Sequence, residues 1–212
     1  IVERNVEREL LDLAAVEVRA ADRQRTTTAG ACPVNLPMQL VERHDHRDRG
    51  AGAIDAGGCD LLLTVGGSGV GRTDATVTAL AQRGEVIAHG IALQPGRNTA
   101  VGRIGKTPVI ALQGAPDQAF AAWWTLALPV LDRLSGRRPR KTVNLPLARK
   151  IASPVGIAEI VLLERKQDMW ATLAVGDLSL EAIARAEAWL VVSGGSEGFA
   201  AGSPVDAYML RD

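Results

Sequence analysis

From Thr64 to Asp74 the chain reads Thr-Val-Gly-Gly-Ser-Gly-Val-Gly-Arg-Thr-Asp, with four glycines in the six positions 66–71. Glycine has no Cβ, so backbone N–H groups in such a loop can approach a ligand closely. A helix starting just beyond adds the positive end of its dipole, and together they favour a phosphate or another oxyanion. Two common phosphate motifs are not met: the spacing is not GxGxxG, and no GK[ST] closes the loop. Asp74 stands at the expected start of the helix. It suits a plain N-cap, and it equally suits a magnesium ligand beside a phosphate.

Other chemistry-bearing residues read more plainly. His44, Asp45 and His46 lie in a polar segment and are expected to be exposed rather than metal-ligating. His89 falls within a strand pattern and is read as structural. Trp123 and Trp124 share a helix in which at least one must be core. Arg137, Arg138, Arg140 and Lys141 surround Pro139 and read as a solvated linker. Cys32 and Cys59 form no CxxC pattern, which fits a reducing, cytosolic (cytoplasmic) setting.

The elements that must position the loop follow from hydrophobic pattern. Residues 61–65 form a short apolar run ended by glycines, as expected of a strand buried on both faces. A helix is expected from about Asp74 to Arg83, with Gly84 at its end. Strands are expected over 85–93, 99–104 and 108–112, the last two as a hairpin around Gly105-Lys106. A long helix over 117–134 carries Phe120, Trp123, Trp124, Ala127, Leu131 and Leu134 as its buried stripe. Pro129 should kink it and Gly136 end it. Beyond the linker come short strands over 143–151, 157–164, 169–175, 189–192 and 204–210, with a helical turn at 180–185. Upstream, 1–25 is helix-prone with Val6, Leu10, Leu13 and Val16 on one face, 26–37 reads as a loop, 38–41 is a short apolar run, and 42–58 is polar.

The chain has 212 residues, 47% apolar and 23% charged, with 24 basic and 24 acidic residues. This is the composition of a globular protein. A neutral chain with 3% aromatics offers neither a general electrostatic pull on nucleic acid nor a base-stacking platform. No apolar run reaches membrane-spanning length, and no signal-peptide pattern opens the chain. Ile1 stands where a start methionine belongs. The chain is therefore expected to be a fragment, a processed product, or a joining of separate pieces.

The run 61–74 resembles the molybdopterin-binding domain of the molybdopterin molybdenumtransferases, the MoeA-type enzymes and the equivalent part of gephyrin. Their usual text is a TTGG-x-S-x-G loop with an aspartate three residues later. The likeness continues in register. His89-Gly90-Ile91-Ala92-Leu93-Gln94-Pro95-Gly96-Arg97 is similar to their strand ending in K-P-G-K. Residues 109–116, ending Gln113-Gly114-Ala115-Pro116, are similar to their G-L-P-G-N-P turn, and Ala201-Gly202-Ser203-Pro204-Val205 to their A-G-E-x-V ending.

What the resemblance implies is an α/β fold: a three-layer α/β/α molybdopterin-binding domain over 59–136 and a small C-terminal all-β, barrel-like domain over 137–212. Residues 1–58 stay unassigned, with a discontinuous part of the α/β domain as one reading of them. The implied function is molybdenum cofactor biosynthesis, with molybdate inserted into adenylylated molybdopterin by a cytoplasmic, magnesium-assisted homodimer. Its ligand is a small pterin, with neither nucleic acid nor membrane as partner. The implied binding positions are Thr64, Gly66, Gly67, Ser68, Gly69, Gly71, Gln94, Pro95, Gly96, Arg97, Gln113, Gly114 and Pro116. Asp74 is implied as catalytic and as the Mg2+ ligand, and Arg97 as a bidentate oxyanion grip.

The departures open alternatives. The family's loop serine is Gly69, its first K-P-G-K lysine is Gln94, its P-G-N-P turn is Gln113-Gly114-Ala115-Pro116, and Arg72 stands where an acidic residue is common. A site that loses a lysine and a hydroxyl donor should hold an anion more weakly. A non-catalytic pterin carrier, sensor or partner-binding module with a degenerate site is the alternative to an enzyme. A related adenylyltransferase, usually a single α/β domain, is disfavoured by the β tail after Gly136.

Overall fold

The computed structural model describes residues 59–69, 75–138 and 140–210, and the backbone of 38–42. The expectations for residues 1–37 and 43–58, including the 1–25 helix and the His44-Asp45-His46 cluster, lie outside the described residues, as do Gly71, Arg72, Asp74 and Pro139. Two compact units are present. One holds the described residues up to Ile91 with Asn98–Ala115 and Ala122–Arg138. The other holds Ala92–Arg97, Pro116–Ala121 and the chain from Pro139 on.

The first unit is an α/β unit. Its five-stranded sheet runs in the order β1 (Met38–Glu42), β2 (Leu61–Val65), β6 (Thr107–Leu112), β5 (Ala100–Ile104), β3 (Glu85–His89). β1, β2 and β6 are parallel, and β5 runs antiparallel to both β6 and β3. The apolar run at 38–41 is thus an additional parallel strand. Strand β2 is buried on both faces, as its continuous apolar text requires. One face puts Leu62 and Val109 against Ala79 and Leu80 of helix α1 (Ala75–Arg83). The other presents Leu63 and Ile110, both inaccessible to solvent. The hairpin turns at Gly105 as expected, with a φ of 58°.

The expected 85–93 strand is broken. It stops at His89, Gly90 turns left-handed with its N–H on the Thr99 carbonyl, and Leu93–Gln94 forms β4, which pairs with a different sheet. The long helix is also segmented. Helix α2 (Pro116–Ala122) passes through a π-helical turn (Trp123–Ala127) into α3 (Leu128–Leu134). Pro129 has no N–H and crowds the carbonyl four residues back, so the ladder widens just before it, and the Leu128 N–H reaches the Trp123 carbonyl. The widened turn rotates the later residues out of register with the earlier ones. The single buried stripe is therefore lost: Trp124, Leu126, Ala127 and Val130 are buried, whereas Phe120 is 42% exposed. The helix ends where expected, with Gly136 N–H on Arg133 and Arg137 N–H on Asp132.

The second unit is the β unit. Its sheet follows the order β10 (Met169–Val175), β9 (Ala158–Lys166), β11 (Ala188–Val192), β13 (Pro204–Met209), β7 (Thr142–Pro146), with β4 added in parallel to β9. The path is open. Its two edges meet at one place, where Leu147 bridges Trp170 and the Ala148 N–H donates to the Trp170 carbonyl at 2.8 Å. The unit is thus barrel-like without closing. The expected 143–151 strand is interrupted at that meeting point, and its far end becomes β8 (Ile151–Ala152), paired with β12 (Gly198–Phe199). Trp170 fills the core with Leu147, Ile151, Val161, Leu163 and Leu190. Helix α4 (Leu180–Arg185) starts at Ser179, whose hydroxyl accepts from the Ala182 N–H.

Candidate functional site

Strands β2 and β6 are parallel and in register, with Val65 beside Leu112, so both end at the same sheet edge. In open α/β sheets, ligands bind outside the carboxyl ends of the strands. At this edge the Gly66 N–H donates to the Leu112 carbonyl at 2.9 Å, fastening the start of the glycine loop to the end of β6. Gly66 and Gly67 then adopt φ values of 85° and 69°. Two successive left-handed residues favour glycine, because the conformation costs an L side chain about 1–2 kcal/mol per residue.

The carbonyls of Gly66, Gly67 and Ser68 are each bound. Gly66 C=O accepts from the Thr76 hydroxyl at 3.2 Å, and Gly67 C=O accepts from the Thr76 N–H at 3.2 Å. Ser68 C=O lies 2.8 Å from His89 Nε2; a carbonyl only accepts, so Nε2 carries the proton. Each of these peptides is trans, so each N–H points opposite its carbonyl. The amides of Gly67, Ser68 and Gly69 therefore face the side of the loop away from Thr76 and His89. Among the described residues they donate to no protein acceptor. Adjacent amides left without a protein acceptor after a buried strand are of the kind that can bind an anion.

The expected binding residues divide. Gly66, Gly67, Ser68, Gly69, Thr64, Gln113 and Gly114 are brought together at this edge. Ser68 contributes only its backbone: its side chain is buried, and its hydroxyl lies 3.4 Å from the Leu112 carbonyl. The Gly66 amide is used within the fold. Thr64 and Gln113 occupy the face of β2 and β6 that meets α1, and both are more than nine-tenths buried. Neither Thr64 Oγ1 nor Gln113 Nε2 has a hydrogen-bond partner among the described residues. Buried polar atoms normally find partners, so this edge is built for more than apolar packing.

Gln94, Pro95, Gly96, Arg97 and Pro116 belong to the second unit. There Gln94 Nε2 donates to the Gly176 carbonyl at 3.1 Å, Pro95 follows a cis peptide, and Arg97 is exposed. Among the described residues no three His, Cys, Asp or Glu side chains gather into a metal-holding group, and Asp74 is outside them. A magnesium ion thus finds no ligand set among the described residues. Two residues of the loop's support were not singled out as site residues from sequence: Thr76, and His89, which was read as structural. A threonine at the start of a helix after a glycine loop was the available signal for the first. Nothing local signalled the second.

Residues 42–133 match the family model described as a probable molybdopterin binding domain. A protein of Methanocaldococcus jannaschii named for molybdopterin biosynthesis is 30% identical over 155 residues, covering 72% of this chain and 37% of that protein. A molybdopterin molybdenumtransferase of Haemophilus influenzae is 33% identical over 82 residues, covering 39% of this chain and 20% of that enzyme. The crystal structure of a MoeA protein of Pyrococcus horikoshii superposes with a TM-score of 0.61 at 24% identity, over 75% of this chain and 39% of that one. The chain spans less than half the length of each of these proteins.

Proposed function

The chain belongs to the MoeA-type family of molybdopterin-binding proteins, and from that premise we propose that its glycine loop holds the anionic tail of molybdopterin during molybdenum cofactor biosynthesis. The observation that carries this is the orientation of the Gly67, Ser68 and Gly69 amides, turned outward because the carbonyls before them are bound to Thr76 and His89. They supply fixed N–H dipoles to phosphate oxygens at no cost in reorganisation. In the full reaction the pterin arrives adenylylated, the adenylyl bond is hydrolysed, and molybdate, a substrate, joins the dithiolene. Asp74 is the residue of this chain proposed for the metal-assisted hydrolysis, and Arg97 for a bidentate grip on an oxyanion. The active form is proposed to be a cytoplasmic homodimer.

Titration calorimetry with molybdopterin and with its adenylylated form tests the binding. Heat of binding with either is expected, and its absence with both withdraws the proposal. The expected turnover is molybdate-dependent and lost in Asp74→Ala.

A binding module without turnover is the second reading. Gln94 favours it, since the position that is lysine in the family spends its side chain on the Gly176 carbonyl. Pterin binding that survives Asp74→Ala, without turnover in the parent, would establish it.

A further inference from the structure

His89 is the last residue of β3, and simple alternation along that strand misplaces it. Val86 pairs with Gly102 and packs on the α1 side with Leu80 and Ala79. His89 lies three positions further on, so an unbroken strand would send its side chain to the opposite face. The register shifts between Val86 and Ala88, leaving Ile87 as an extra residue. Ala88 then pairs with Val101 and His89 with Ala100, which returns His89 to the face of Val86 and Gly102. That face carries α1, and it also carries Thr64 and Gln113 at the ends of β2 and β6. There His89 Nε2 meets the Ser68 carbonyl at 2.8 Å. Directly after it, the Gly90 N–H donates to the Thr99 carbonyl and fixes the strand's end.

We infer that His89 is a positioning residue for anion binding: its Nε2–H fixes the Ser68–Gly69 peptide so that the Gly69 N–H faces the ligand. The inference rests on the proposed role of the glycine loop and adds a residue that the loop's own sequence does not contain. Thr76 holds the two preceding peptides from the helix side. Without His89 the third peptide has no side-chain anchor among the described residues, and it can rotate to put a carbonyl where the anion sits. The device requires a donor at the position of Nε2. Charge on the ring is not required, and the imidazole ring need not touch the ligand.

The test is a titration of the whole chain with inorganic phosphate, followed by 1H–15N correlation spectra of Gly67, Ser68 and Gly69, for the parent, His89→Gln and His89→Phe. Glutamine presents an N–H donor at about the same reach, whereas phenylalanine keeps the bulk and loses the donor. The parent and His89→Gln are expected to bind within a few-fold of each other, and His89→Phe about tenfold more weakly with its melting temperature little changed. In the parent, long-range 1H–15N spectra of the His89 ring are expected to show a proton on Nε2. Equal binding by parent and His89→Phe overturns the inference and leaves the loop's role intact. Equal weakening in both variants also overturns it, since the donor would then not be the operative part. A parent whose three amides ignore phosphate overturns the loop's role and this inference together.

Discussion

The amide of Gly66 donates to the carbonyl of Leu112 at 2.9 Å, joining the ends of two parallel strands that are 46 residues apart in sequence. This bond decides where the glycine loop begins. It removes one amide from ligand binding and sets the starting direction of the three that follow.

Replacing Gly66 by alanine isolates the backbone requirement. A Cβ there meets no atom within 4 Å, so the cost comes only from its φ of 85°. Gly66→Ala is expected to lose about 1–2 kcal/mol of stability in urea unfolding. Phosphate-induced shifts at Gly67 to Gly69 should shrink with it. Unchanged stability would mean the loop relaxes to another conformation.

Thr76→Val removes a hydroxyl at nearly constant shape. Thr76 is buried, and its Oγ1 serves the Gly66 carbonyl. The substitution should cost about 1–3 kcal/mol, because it leaves that carbonyl unpaired. The Thr76 N–H bond to Gly67 is retained, so the Ser68 amide should move less than the Gly67 amide in the 1H–15N spectrum.

Gln94→Glu probes the second unit. The wild-type amide donates to the Gly176 carbonyl, and the Glu159 carboxylate occupies the place where a Cβ on Gly176 would stand. A carboxylate at position 94 loses the donor and adds a like charge beside Glu159, its neighbour in the β4–β9 pairing. A loss of about 1–3 kcal/mol is expected at neutral pH, smaller at acid pH where carboxylates protonate. Thermal unfolding at two pH values measures both.

Glu164 links stability to pH. Hydrogen bonds from Lys166 and then from Arg185 hold its carboxyl below the ordinary value of 4.5. A carboxylate with a depressed folded-state pKa contributes stability that is fully present above its unfolded value. That stability is lost as pH falls through the depressed one. Both cations are more than half exposed, so salt should screen the effect. Glu164→Gln should flatten the stability profile between about pH 5 and pH 2 and leave the profile above it unchanged. Urea unfolding across that range, at low and high salt, is the measurement.

Much of the α/β unit was legible because its strands are marked locally. Leu61 to Val65 is an apolar run closed by glycines, and Gly105-Lys106 sits between two β-prone stretches. The loop's tight turn was legible for the same reason: consecutive glycines after a buried strand permit the left-handed backbone seen at Gly66 and Gly67. What escaped depends on residues distant in sequence. The Gly90 break follows from Leu93 and Gln94 finding β9, more than sixty residues away. Pro129 announced a disturbance, but not whether it would be a kink or the π-helical turn over Trp123–Ala127. His89 was read as structural, but the face it occupies was not legible, because the extra residue at Ile87 reverses the side on which every later side chain of β3 falls, and a bulge leaves no composition signal.

The route of the backbone between the two units has a practical outcome. The chain passes from one to the other at 91/92, 97/98, 115/116, 121/122 and 138/139. A truncation ending at Arg138 keeps the whole α/β sheet but strips β4 of β9, its pairing partner, and Gln94 of the Gly176 carbonyl. Expression of the first 138 residues alone would therefore leave the Gln94-Pro95-Gly96-Arg97 stretch unsupported. Swapping the β unit for that of a relative would have to exchange three separate stretches of sequence at once, 92–97, 116–121 and the chain from 139 on.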